Sequence, residues 1–264
     1  MLNTLLDVAL AIWIYMSLFF LLALFLKDNS IVDIGWGLGF ILITILMIIQ
    51  RPIPGMRGIA YIFVILWGFR LARHIFLRNR GRSEDFRYAA WREKWGIWFI
   101  PRSYLQIFML QGIIMFIVVY SIVVISVAPL RPVGIIEAIG SIVWSIGFFF
   151  ETVGDLQLSR FKKDPDNKGK IITTGLWKYT RHPNYFGEVV MWWGIFLLAL
   201  PVHYGWTAVV SPLLITYLLT KVSGVPLLER KYAGNVQFER YKQRTNTFFP
   251  WFPRKPRSKS TVIE

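Results

Sequence analysis

The sequence predicts an all-α, polytopic membrane protein with about seven transmembrane helices, and three observations predict it. The 264 residues are 55% hydrophobic and 17% aromatic. Apolar runs, mostly about 20 residues long, recur along the chain, and that length crosses a ~30 Å hydrocarbon core. None of the runs alternates as a barrel strand would, so each must satisfy its backbone groups within a helix.

Residues 2–26 form the first run. It lacks a basic n-region and a small-residue cleavage site, so it reads as a retained span and not as a removed signal peptide. Runs 31–49, 58–77, 105–128 and 133–154 follow, and the shorter runs 186–200 and 206–219 complete the seven. Arg51-Pro52-Ile53-Pro54-Gly55 and Pro129-Leu130-Arg131-Pro132 are the turn chemistry of simple hairpin connections. The expected organisation is one membrane-embedded domain over 1–252 and a basic, Pro/Ser-rich tail at 253–264 with the composition of a disordered segment. Internal repeats are not found. No cysteine is present, which removes disulfides, thiolate chemistry and Cys-based metal sites; no metal is expected.

The formal charge of +15 would ordinarily suggest a nucleic-acid partner. Its distribution argues otherwise. Arg78, Arg80, Arg82, Arg87, Arg92, Lys94 and Arg102 lie in the third connection, and Arg160, Lys162, Lys163, Lys168, Lys170, Lys178 and Arg181 in the fifth. A further set follows Leu219, whereas the opposite side has only Arg51, Arg57 and Arg131. By the positive-inside rule the N-terminus is outside, the C-terminus is cytoplasmic and the basic segments share the cytoplasmic face. Attraction to anionic membrane lipids is a second use of this charge, and no nucleic acid is expected.

An ionisable group inside a span costs about 2.5–3.5 kcal/mol on insertion scales, so each such group is a functional candidate. Asp33 opens the second span, with Trp36, Gly37 and Phe40 on one face after it; it serves either a pocket wall or a helix cap. Glu151 and Asp155 lie one turn apart in FFFETVGDLQLSRFKK and need donors, from Arg160, Lys162 and Lys163 or from a ligand's hydroxyl and amide groups. On the third span Arg70, Arg73 and His74 form a basic stripe; Arg73 can snorkel to the interface, while Arg70 sits a turn deeper. In GLWKYTRHPNYFGEVVMWWG, Pro183 marks a helix start, with Asn184 and Glu188 on one face. Lys178, Arg181 and His182 precede that N-terminus, a suitable seat for a phosphate or carboxylate unless the stretch is only an interfacial anchor.

GLWKYTRHPNYFGE and ERKYAGNVQFERYKQRTNTFFPWFP resemble the cytoplasmic cofactor-binding half shared by membrane steroid 5-alpha-reductases, sterol reductases and isoprenylcysteine carboxyl methyltransferases. Together with SIVDIGWGLGF and RLARHIFLRNRGRSEDFRYAAWREKWG, nearly the whole chain resembles the bacterial branch of the steroid 5-alpha-reductase family. The resemblance implies NADPH bound from the cytosol of a bacterial inner membrane, and a lipophilic, steroid-like enone as substrate. Glu151 and Asp155 match an Asn-x-x-x-Asp pair that binds the cofactor, and Lys162 stands where an Arg contacts phosphate. Asn184, Tyr185 and Glu188 match Asn-Tyr-Phe-Gly-Glu, and Asn79, Arg80 and Arg82 match Asn-Arg-Gly-Arg. Arg230, Tyr241 and Arg244 lie where the family has further phosphate and adenine contacts; Lys170, Arg181 and His182 join the cofactor set from the basic loop. Two positions depart from the pattern. Asp33 stands for a Glu, and no Tyr on the third span matches the one that helps polarise the steroid carbonyl.

Hydride addition to an enone places negative charge on the carbonyl oxygen, which a preorganised donor stabilises. A protonated Asp33 or Arg70 is the expected donor. No G-x-G-x-x-G fingerprint is present, so the dinucleotide would not sit in a Rossmann site. An S-adenosylmethionine-dependent methyltransferase is the alternative enzyme, because Arg-His-Pro-x-Tyr and a following Glu also occur in that relative. A lipid-binding or transport protein is the non-enzymatic alternative, although the two related halves of many transporters are not found.

The absence of cysteine makes the topology directly measurable. A Leu130→Cys variant should react with a membrane-impermeant maleimide in intact cells, and a Lys168→Cys variant only after permeabilisation; the opposite pattern would invert the assigned orientation.

Overall fold

The computed structural model describes residues 1–51 and 55–254. Positions 52–54 of the second turn and the tail from 255 lie outside the described residues, and with them most of the segment expected to be disordered. Among the described residues six helical stretches are long and apolar enough to span a membrane: Leu2–Leu26, Ile31–Gln50, Met56–Asn79, Phe86–Val127, Ile135–Lys163 and Gly205–Lys231. The chain is therefore an all-helical, polytopic integral membrane protein.

The helices are α1 Leu2–Leu26, α2 Ile31–Gln50, α3 Met56–Asn79, α4 Phe86–Trp95, α5 Phe99–Ser103, α6 Leu110–Val127, α7 Ile135–Lys163, α8 Pro183–Ala199, α9 Val210–Tyr217, α10 Val225–Lys231 and α11 Val236–Arg244. The expected run 186–200 falls on α8, whose 17 residues give about 25 Å of helix. The expected run 206–219 is composite: a 3-10 turn at Gly205–Val209, α9, and a π-helical turn at Leu218–Val222. The third connection, read from the sequence only as long and charged, contains α4 and α5.

Packing divides the chain into two compact units, one of residues 1–142 and 193–214, the other of 143–192 and 215 onward. In the first, α1 buries Val8, Ile12, Met16, Phe20 and Ala23, a stripe at three- and four-residue spacing. Leu6, Leu10, Trp13 and Leu18 on its other faces are exposed, as a lipid-facing helix requires. α6 is the central helix, with Met115, Val118, Val119 and Ile122 through Ile125 inside. Between α2 and α3 the backbones touch: a Cβ on Gly37 would stand 2.4 Å from the Gly68 oxygen, and one on Gly68 2.7 Å from the Gly37 oxygen. Apolar burial drives no association between helices already in lipid, so close small-residue contacts of this kind carry the packing. Phe40 then fills the space beside them, edge-on to Trp36 and Trp67.

α4 starts at Asp85, whose side chain accepts from the Arg87 backbone N–H at 3.0 Å, and this is an N-cap. On the opposite side of the membrane pattern, Arg131 pairs with the buried Glu137 at 3.1 Å and donates to the Pro201 carbonyl at 2.5 Å.

In the second unit α7 and α8 pack as closely as α2 and α3. A Cβ on Gly147 would lie 2.5 Å from the Met191 nitrogen, and one on Gly187 2.4 Å from the Glu151 nitrogen. The Trp177 indole donates to the Gly154 carbonyl at 3.1 Å and fixes the loop ahead of α8. The segment after α11 runs beside that loop: Thr180 and Asn246 form an isolated parallel bridge, and the Arg181 N–H donates to the Asn246 carbonyl at 2.9 Å. Asn235 caps α11 by accepting from the N–H groups of Gln237 and Phe238.

Gly187→Ala should destabilise the protein by roughly 1–3 kcal/mol, the usual cost of overpacking, because the atoms its methyl would meet are backbone. Lys163→Ala, exposed on α7, should leave the thermal midpoint in detergent unchanged; equal midpoints for the two variants would exclude a tight α7–α8 contact.

Candidate functional site

Polar side chains gather in each unit, and each cluster is described in its own frame. In the first unit Asp33, in the first turn of α2, accepts the Tyr88 hydroxyl at 2.7 Å on one carboxylate oxygen and the Arg87 guanidinium at 2.9 Å on the other. Arg87 also donates to Asp85 at 2.9 Å. Burial works against the Asp85 charge, but the Arg87 side-chain and backbone hydrogen bonds hold its carboxyl below the ordinary value. Of the two sequence expectations for Asp33, the cap is not seen, since no side chain caps α2; its carboxylate joins α2 to α4. Arg70 is half-buried on α3, while Arg80 and Arg82 are exposed in the turn after Asn79, where the Arg82 N–H donates to the Asn79 carbonyl.

The second cluster lies where α7 meets the start of α8. Glu151 and Asp155 are both buried, Glu151 to 2% exposure, and Asn184 donates its amide N–H to Asp155 at 3.1 Å. Glu188 follows one turn later on α8. The His182 and Tyr185 rings stack with centroids 5.7 Å apart. Among the described residues His182 Nδ1 and Asn184 Oδ1 are buried polar atoms with no hydrogen-bond partner, a condition rare enough to call for an explanation.

Arg181, expected beside a phosphate, is engaged with the fold. Its guanidinium bonds Glu229 at 2.6 and 2.8 Å, the Thr245 carbonyl at 2.6 Å and the Thr247 hydroxyl at 2.7 Å. Tyr241 is similarly occupied: its buried hydroxyl donates to the Trp177 carbonyl and lies 3.3 Å from that of Thr180. Burial pushes this phenol upward against the lowering effect of Arg181. Lys162, Lys170, Arg230 and Arg244 are exposed. Lys162 stands two turns beyond Asp155, about 10 Å along α7 at 1.5 Å per residue.

Three residues of these clusters were not singled out as site residues in the sequence: Tyr88, Arg87 and Glu229. Arg87 and Glu229 sit in charged stretches, SEDFRY and LLERKY, where nothing distinguishes them from solvated neighbours. Only the partner, 54 residues away for Arg87 and 48 for Glu229, reveals them.

Apolar spans that carry buried carboxylates, an amide and a histidine near helix ends define the class as an integral membrane protein. The chain belongs to the family described as "Protein of unknown function (DUF1295)", whose profile matches residues 19–245, a steroid 5-alpha-reductase-like family. It is also similar to the "Probable O-methyltransferase ustE" of Ustilaginoidea virens, 38% identical over 68 residues. That match covers 26% of this chain and 24% of the relative, so the chain spans about a quarter of that relative's length. No solved structure matches the chain.

Arg181→Gln should cost roughly 3 kcal/mol of stability, because removing one partner of a buried ion pair leaves the other charge uncompensated. Lys170→Gln should cost nothing measurable by thermal unfolding, and an Arg181→Gln protein as stable as the parent would show that Glu229 has other partners.

Proposed function

We propose that the protein is an integral membrane, NADPH-dependent reductase acting on a carbon–carbon double bond conjugated to a carbonyl in a lipophilic, steroid-like substrate. The observation that supports this reading is the buried acceptor cluster of Glu151, Asp155, Asn184 and His182, with the exposed lysines 162, 163, 168 and 170 following on the same stretch. Carboxylates, an amide oxygen and an imidazole nitrogen suit the ribose hydroxyls and the carboxamide N–H groups of a dinucleotide. Lysines suit its phosphates. The bound cofactor would supply the hydride, as cofactors supply the chemistry their proteins position.

In the first unit the candidate donor group is the Asp33, Arg87 and Tyr88 cluster. Asp33 orients the guanidinium and the phenol, and a charged donor held in place is the kind of group that stabilises a developing enolate oxygen. Arg70 on α3 is the second candidate donor. Orientation by the positive-inside rule puts the cofactor site on the cytoplasmic side, in a bacterial inner membrane by the family resemblance, with membrane lipids around the spans.

A second reading, methyl transfer from S-adenosylmethionine, has the name of the partial relative in its favour. The same carboxylates would meet that ligand's ammonium group, but the lysines would then find no phosphate.

Thermal stabilisation of detergent-purified protein by NADPH, NADH and S-adenosylmethionine, measured side by side, separates the readings. A ligand at 100 times its dissociation constant adds about 2.7 kcal/mol, and NADPH should do so in the parent but not in Asp155→Ala or Asn184→Ala variants. Stabilisation by S-adenosylmethionine alone would replace the reductase reading with the methyltransferase one; a response to none of the three would favour a lipid-binding or transport role.

A further inference from the structure

We infer that Glu229 is a positioning residue: it locks His182 in the tautomer that carries its proton on Nε2, so that Nδ1 is kept as a hydrogen-bond acceptor at the entrance of α8. The inference rests on the cofactor reading only for the identity of the ligand that uses this acceptor.

The argument begins with Glu229 Oε1, which receives Arg181 at 2.6 and 2.8 Å and also faces His182 Nε2 at 3.4 Å. An ionised carboxylate only accepts, so the imidazole nitrogen turned toward it must be the one bearing hydrogen. The ring is 3% exposed and stacked on Tyr185. In the neutral imidazole Nδ1 then presents a lone pair, and among the described residues nothing donates to it.

A second, independent acceptor stands two residues away. Asn184 uses its N–H on Asp155, which leaves Oδ1 turned out as an acceptor, again buried and without a partner among the described residues. Two buried acceptors at the N-terminus of one 17-residue helix specify a ligand that brings its own donors, such as a primary carboxamide or a ribose diol. A buried acceptor left unpaired is costly, and a ligand that donates to it removes that cost. Glu229 touches no part of such a ligand in this scheme; it acts through His182.

The experiment uses the purified full-length chain labelled with 15N-histidine. It has three histidines, and loss of one signal in His182→Gln assigns His182. The expected spectrum shows an unprotonated Nδ1 and a protonated Nε2 in the parent, altered in Glu229→Gln, whose amide can donate to Nε2. NADPH affinity should fall at least tenfold in Glu229→Gln and in His182→Gln. The double variant should bind no more weakly than His182→Gln alone, since the two residues act as one unit.

A protonated Nδ1 in the parent, a spectrum indifferent to Glu229→Gln, or additive losses in the double variant would overturn the assignment and leave Glu229 a structural partner of Arg181. If Glu229→Gln does not fold, Glu229→Asp is measured in the same way, because it keeps the negative charge while drawing the carboxylate back by one methylene. Failure of NADPH to bind the parent would overturn the reductase reading instead, and the tautomer spectrum, which needs no ligand, would still decide the role of Glu229.

Discussion

The close approach of α7 and α8 is the constraint on which the second unit depends. Gly187 lies against the backbone of Glu151 and Gly147 against that of Met191, with no room at either for a methyl group. Two consequences follow from this one geometry. The carboxylates of α7 are brought within hydrogen-bond reach of the first turn of α8, where Asn184 meets Asp155. The α8 N-terminus, with the favourable field of its free N–H groups, is also held beside the buried acids. A larger residue at either glycine would part the helices and remove both.

Three charged side chains are each met by a specific partner at close range. Arg181 meets Glu229, Glu137 meets Arg131, and Asp33 meets Arg87 and Tyr88. Desolvated ions of this kind contribute little net stability, and their loss is costly because one charge remains behind. Their effect is to specify which segments sit together. Arg181 brings the segment after α11 to the loop before α8, and Asp33 brings α4 to the start of α2. His182 Nδ1 and Asn184 Oδ1 are among the buried polar atoms without a partner among the described residues, and Asn184 also meets the buried Asp155.

The sequence by itself determined the spans and the punctuation between them. The first run and α1 coincide at 2–26, and the second begins at residue 31 in both, because hydropathy over about 20 residues and the turn residues that interrupt it are local properties. It also placed Glu151, Asp155, Asn184 and Glu188 on helix faces that can meet, since three- and four-residue spacing is readable along one helix. The tertiary structure alone decided partnership. Arg181 and Lys162 look alike in a basic stretch, yet one is enclosed by Glu229, Thr245 and Thr247 while the other is exposed. Asp33 reads from the sequence as a pocket wall or a cap, and its partners Arg87 and Tyr88 come from α4. Charge and hydrogen-bonding capacity belong to a residue, but what they are used for depends on groups about 50 positions away in the chain, and only the packing of helices brings those together.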